Sequence, residues 1–319
     1  MRARVGMHRG TGILVVGGGF LGSHIVAGLA AEGTRVTVLT RTRPQGAAAY
    51  RIAGARTLVA DAADPAAVER ALENVDHVVW CAGGLLPADS NLDPIADVRE
   101  ALPPLLAMLE ALRQRPGIGL TFMSSGGTVY GNPMILPVPE SHPTSPLTSH
   151  GVTKVAAEQY LGLYQDVYGV PVLILRCGNV YGEGQRGDRS QGVIAAGLAG
   201  VHTGRPFSMF GDGSSERDYL YIGDVVDVVC ELLGRTDVPR IVNVGSGRGA
   251  TVAEVVAAIE SVTGTTMTLD PRPARPGDVS RIVLDTSVLQ SLAPFDPLPL
   301  RDGIALTWTA LVEGEFAPR

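Results

Sequence analysis

The apolar run Ile13-Leu14-Val15-Val16 leads directly into Gly17-Gly18-Gly19-Phe20-Leu21-Gly22, a G-x-G-x-x-G spacing followed by helix-compatible sequence. In a strand-turn-helix context the first glycine permits a tight turn, the second lets backbone approach a pyrophosphate, and the third lets the helix pack closely on the strand. A helix from about Phe20 to Ala31 then aims its free N–H groups at the phosphates. Three glycines carry little information in a chain that holds 40 of them. The strand before and the helix after make the pattern a dinucleotide cradle, with Gly17, Gly19, Phe20, Leu21 and Gly22 as its residues.

The period of the apolar residues extends this unit into a fold. Short apolar runs near 13–17, 35–40, 56–60, 76–81, 118–124 and 171–176 alternate with amphipathic segments at about 20–31, 64–73, 93–114 and 149–168. That alternation predicts an α/β fold: a doubly wound parallel Rossmann sheet over residues 12–176. Pro103-Pro104 should bend or break the third helix. After Arg176 glycine and proline become frequent. Residues 177–319 therefore read as a smaller C-terminal substrate-binding lobe, with elements returning to the first domain, over the carboxyl ends of the sheet where ligands bind in such folds.

Several classes of partner are disfavoured by composition. A net charge of -6 gives no reason to expect nucleic acid or an anionic membrane surface. No stretch approaches about 18 uninterrupted apolar residues, and the start, Met1 to Gly12, carries Arg2, Arg4, His8 and Arg9 but no apolar signal region, which predicts a cytoplasmic protein with a frayed N-terminus. Cys81, Cys177 and Cys230 are scattered without metal-ligand spacing, so they predict buried thiols in a reducing compartment and no metal site.

The second strand ends in Thr40-Arg41-Thr42-Arg43, and no acidic residue occurs between Glu32 and Asp61. An NAD site usually offers a carboxylate about 20 residues past the glycines for the ribose 2′-hydroxyl, whereas an NADP site places arginine there. Arg41 and Arg43 therefore favour NADP(H), with NAD as the alternative and solvated loop charges as the plain structural one.

Chemistry concentrates at Ser124-Ser125-Gly126-Gly127-Thr128-Val129-Tyr130-Gly131, which follows an apolar strand, and at His150-Gly151-Val152-Thr153-Lys154. In a helix His150 and Lys154 share one face. With Leu175–Gly182, Gly211–Tyr219, Asn243–Gly247 and Arg275-Pro276-Gly277-Asp278, these segments resemble, in joint order, the extended short-chain dehydrogenase/reductase family. The likeness is to its nucleotide-sugar epimerases, dehydratases and 4-ketoreductases.

That resemblance implies roles and exposes departures. The family's acid/base tyrosine stands four residues before the lysine; here the position is His150. Lys154 matches the lysine that binds the nicotinamide ribose and tunes the acid/base. The usual helper hydroxyl falls at Gly126, so Ser125 or Thr128 would take it over. The glycine turn is one residue shorter than the family's usual form. Asp61 resembles the aspartate near the adenine, and Ala82 and Gly83 flank the middle of the cofactor. Asn179, Arg217 and Arg275 match positions that grip the sugar diphosphate. The helices at 93–114 and 149–168 resemble the pair through which such enzymes form homodimers.

Imidazole, with an ordinary pKa near 6.5, is a workable acid/base. The ammonium of Lys154 on the same face pushes His150 toward its neutral, base-competent form. A bland alternative has His150 only packing the helix start, with proton transfer by water, Tyr130 or a Ser/Thr hydroxyl. The leading expectation is hydride transfer from NADPH to the 4-keto group of a nucleotide-linked (deoxy)hexose. NAD-dependent 4-epimerisation is the second, and a dinucleotide-binding sensor without turnover the third.

Overall fold

The computed structural model describes residues 10–187, 192–275 and 277–313. The residues before Gly10, where the sequence predicts a frayed start, and Pro276 lie outside the described residues. The first half runs β1 (Gly12–Val16), α1 (Phe20–Ala31), β2 (Arg35–Thr40), α2 (Gly46–Arg51), β3 (Arg56–Val59), α3 (Pro65–Ala71), β4 (His77–Trp80), α4 (Pro87–Leu92), α5 (Pro94–Arg113), β5 (Gly119–Ser125), the single turn α6 (Gly126–Val129), α7 (Ser149–Tyr168), β6 (Val172–Cys177) and β7 (Asn179–Tyr181). The second half runs α8 (Val193–Thr203), β8 (Phe207–Phe210), β9 (Glu216–Tyr221), α9 (Ile222–Leu232), β10 (Ile241–Val244), β11 (Gly249–Thr251), α10 (Val252–Thr263), β12 (Leu269–Arg272), β13 (Arg281–Ile282), α11 (Ser287–Leu292) and α12 (Leu300–Val312).

Seven parallel strands form the central sheet in the order β10-β6-β5-β4-β1-β2-β3. Alternate side chains of β1 serve two cores, as the period of a strand requires. Ile13 and Val15 pack with Ile25 and Leu29 of α1 and Val225 and Val229 of α9. Leu14 and Val16 pack with Leu105 and Leu109 of α5 and Leu161 of α7. The strand order reverses between β1 and β4, so their carboxyl ends open a crevice where ligands bind in sheets of this kind.

The two long helices α5 and α7 are fixed at their starts. The Thr148 hydroxyl accepts from Gly151 N and caps α7, and Asp93 caps α5 through Ala96 N. Gly169, at φ +72°, ends α7 in a left-handed turn. α5 runs unbroken through Pro103 and Pro104, so of the expected bend or break the break does not occur. Burial of Leu105, Met108, Leu109 and Leu112 on its inner face offsets the two backbone bonds the prolines remove.

Beyond β6 the chain builds a second layer. β9 pairs with β7, β11 and β13, β8 pairs with β12, and Ile194, Leu198, Val255, Ile259 and Ile304 fill a separate core among α8, α10 and α12. β10 returns to the central sheet beside β6. Among the described residues no helix is long and apolar enough to cross a membrane.

Candidate active site

The short glycine turn closes tightly. Gly17, at φ +103°, donates its N–H to Leu39 O at 2.9 Å, and a Cβ there would stand 2.8 Å from Ala82 N in the loop after β4. A Cβ on Gly22 would stand 1.8 Å from Gly17 O, so α1 can approach β1 only with glycine at that point. At Gly19 a Cβ would meet nothing within 4 Å. The first intrahelical bond is Ser23 N to Gly19 O, so the N–H groups of Phe20, Leu21 and Gly22 have no acceptor within the helix. A cradle of this shape fits a dinucleotide pyrophosphate despite the missing residue.

At the adenosine end, the Arg41 guanidinium lies 2.9 Å from the Glu100 carboxylate of α5 in a partly exposed ion pair. Arg43 is exposed, and Thr40 bonds its own loop at Thr42 O. Asp61 is exposed and its Oδ1 accepts from Ala63 N, the bond of a simple turn.

His150 and Lys154 face one small cavity with Trp80, Gly83, Asp97 and Phe122. His150 N–H donates to Ser90 Oγ at 3.0 Å, and His150 Nδ1 lies 2.8 Å from Leu85 O. A carbonyl only accepts, so Nδ1 carries the proton and Nε2 presents a lone pair. Burial, reinforced by the ammonium of Lys154, pushes the imidazole down to about 4. Lys154 donates from Nζ to Met123 O at 2.8 Å over the face of Phe122, and burial lowers it to about 8. A neutral base with a fixed tautomer thus stands beside an amine that is still mostly charged at neutral pH.

The replacements for the missing helper hydroxyl are less engaged. A Cβ on Gly126 would come within 2.7 Å of Leu284 Cδ1, so a leucine from the far end of the chain fills the space a serine would need. Thr128 Oγ1 is buried and has no hydrogen-bond partner among the described residues, while Ser125 precedes α6 without capping it. Tyr130 is not available as a proton relay. Its hydroxyl donates to Asn243 Oδ1 at 2.7 Å and accepts from Arg176 Nη1 at 2.9 Å in a buried network, and burial raises it to about 12.

Arg217, Arg275 and Asn179, which the sequence resemblance assigns to a sugar diphosphate, lie in the second layer. Arg217 turns Nη1 toward Glu216 O and Ser280 O at 3.0 and 3.5 Å, and Arg275 stacks 3.6 Å over the Phe210 ring. Asn179 borders the α6 turn, where a Cβ on Gly127 would meet its Oδ1 at 2.8 Å. The three cysteines are thiols rather than disulfides. Cys177 and Cys230 are buried, Cys81 is half-buried, and burial raises the thiols of Cys81 and Cys177 to about 12.

Asp97, Leu85 and Ser90 escape a motif search. One signal for Asp97 exists: it falls on the same helical stripe as the buried Leu105, Met108 and Leu112, where a carboxylate has no place unless partnered.

Comparison with known proteins gives the family. Residues 13–245 match the model of the NAD dependent epimerase/dehydratase family. A putative UDP-glucose 4-epimerase of Methanocaldococcus jannaschii is 34% identical over 294 residues, 92% of this chain and 95% of that one. A dTDP-4-dehydro-6-deoxy-D-allose reductase of a Streptomyces species is 30% identical over 311 residues, 93% and 95% of the two chains. The crystal structure of Thermus thermophilus UDP-glucose 4-epimerase in complex with NAD superposes with a TM-score of 0.88 at 34% identity, covering 95% of this chain and 100% of that one. The chain belongs to the NAD-dependent epimerase/dehydratase family and is an enzyme of the extended short-chain dehydrogenase/reductase type.

Proposed function

We propose that the protein is a nucleotide-sugar 4-epimerase in which His150 takes the proton of the sugar hydroxyl and later returns it. The observation that carries this is geometric: His150 Nδ1 is committed to Leu85 O at 2.8 Å, which turns Nε2 into the acceptor at the cavity shared with Lys154, and burial favours the neutral imidazole. Burial and the Lys154 ammonium hold the imidazole well below its ordinary range, so the base is the abundant form at pH 7 and the acid the scarce one. Reduction of a ketone must start from that scarce acid, whereas oxidation of an alcohol starts from the abundant base. In an epimerase the proton collected in the first half-reaction remains on Nε2 for the second, so no external acid is needed. The nicotinamide, when bound, supplies the hydride acceptor and donor. Lys154 would hold its ribose, Gly17, Gly19 and the start of α1 its pyrophosphate, Ala82 and Gly83 its middle, and Asp61 its adenine. Ser125 or Thr128 would steady the sugar oxygen, and Asn179, Arg217 and Arg275 the diphosphate.

The 4-ketoreductase is kept as a second reading by Arg41 and Arg43, which follow the end of β2, where arginine rather than a carboxylate favours a 2′-phosphate. The exposed Arg41–Glu100 pair is worth at most about 1 kcal/mol, so a phosphate can displace Glu100 without large cost. The proposed macromolecular partner is a second copy of the chain, docked through α5 and α7.

Purified protein tested for bound nicotinamide by fluorescence, then given UDP-hexoses and separately a nucleotide-linked 4-keto sugar with NADPH, decides between them. Interconversion of C4 epimers without added cofactor is the expected result. Stoichiometric NADPH oxidation with the keto sugar alone would make the protein a reductase. Cofactor binding with neither reaction would leave it a sensor.

A further inference from the structure

We propose that Asp97 is the positioning residue that holds His150 in the Nδ1–H tautomer, acting through the backbone of Leu85. The inference rests on His150 as the proton acceptor described above and adds the group that sets its orientation. Asp97 is fully buried in the first turn of α5, and its carboxylate is satisfied on both oxygens. Oδ1 accepts from Leu85 N at 2.8 Å, and Oδ2 accepts from Ser149 Oγ at 2.9 Å and Thr153 Oγ1 at 2.6 Å. Ser149 and Thr153 flank His150 on α7, and Leu85 is the residue whose carbonyl receives the imidazole Nδ1–H. One carboxylate therefore fixes both the helix that carries the imidazole and the peptide that chooses its tautomer.

The loop is shaped for this contact. A Cβ on Gly84 would stand 2.2 Å from Asp97 Oδ1 and 2.8 Å from Asp97 O, so the Gly84–Leu85 peptide can seat against the carboxylate only without a side chain at 84. If the peptide lifts away, Nδ1 loses its acceptor and the proton is free to move to Nε2. The nitrogen facing the cavity would then be a donor and could not take a proton from a hydroxyl.

The tautomer is read directly by 15N NMR of the imidazole in the full-length protein, which needs no substrate turnover. Wild type is expected to show the proton on Nδ1. Asp97→Ala is expected to lose that signature and to lower kcat by about 10- to 100-fold with KM changed only a few-fold. Asp97→Asn keeps an acceptor for Leu85 N, so it should recover the signature and most of the lost rate. Gly84→Ala, which displaces the loop while the carboxylate stays, should lose the signature as Asp97→Ala does and guards against misfolding of the latter. A wild-type spectrum with the proton on Nε2, or folded Asp97→Ala protein that keeps it on Nδ1, would overturn the proposal. Full activity of His150→Phe would instead remove the catalytic role of His150 and leave the NMR outcome for Asp97 standing.

Discussion

An imidazole at the position where similar enzymes are expected to use a phenol changes the pH at which the first proton can move. His150 faces Lys154 from its own helix and Asp97 from α5; burial and the ammonium lower its pKa, and the carboxylate and the Leu85 carbonyl oppose them less strongly. The catalytic form is the neutral one, so activity is lost when protonation occupies Nε2. Because the folded-state pKa lies near 4 rather than 6.5, kcat/KM should stay level on the acid side down to about pH 5 and fall only below it. A limb with a midpoint near 6.5 would mean that the imidazole is solvated and not held as described. His150→Phe removes the acceptor and should reduce turnover by about 100-fold or more while dinucleotide affinity, measured by fluorescence titration, stays within a few-fold. The Gly126 position points the same way, because Leu284 occupies the room for a helper hydroxyl and leaves the imidazole with fewer alternatives.

At the scale of elements, α7 joins catalysis to the sheet. One turn beyond Lys154, the buried Glu158 pairs with Arg176 of β6, with Nη2 to Oε2 at 2.6 Å, and also accepts from Ser124 of β5. Arg176 continues to Tyr130, and Tyr130 to Asn243 of β10, so three adjacent strands and the helix share one polar network. Removing one partner strands a buried charge. Glu158→Leu and Arg176→Met should each cost about 3–5 kcal/mol in urea unfolding, and the double variant less than their sum. A loss under about 1 kcal/mol for either single variant would show that water reaches the pair. Much of this layout was legible in the chain. The period of the apolar residues places α1, α7 and β2 within a residue of their observed ends, since those elements are set by local pattern. An arginine inside Val172–Cys177 also announces a partner, without saying that it is Glu158. The Asp97–Leu85–His150 relay and the Leu284 plug were not legible, because each joins segments distant in the chain and no local period encodes such a contact. At Pro103-Pro104 local propensity speaks for a bend or a break, and α5 is not broken there because tertiary burial overrides propensity.

For the whole molecule, the outer surfaces of α5 and α7 set a further expectation. On α7, Val152, Tyr160, Leu163 and Val167 follow helical spacing along one side and all are exposed, Val167 by 60%. On α5, Ile95, 71% exposed, and Val98 continue into the partly buried Leu102 and Leu106. The two helices pack against each other, so these stripes lie on adjoining elements rather than scattered over the surface. Apolar side chains gathered in this way are unfavourable in water and are the usual mark of a covered face. Two such helix pairs packed about a two-fold axis would make a four-helix interface of isologous type. Sedimentation equilibrium should therefore give twice the chain mass of 33.3 kDa. Leu163→Glu with Val167→Glu should yield monomer, since each charge would have to be buried without a partner across the axis. Both substitutions point away from the cavity that holds His150 and Lys154, so the monomer should keep its fold and its dinucleotide affinity. A wild-type monomer at micromolar concentration, or a double variant that still sediments as a dimer, would mean that α5 and α7 face solvent or that a different surface joins the copies.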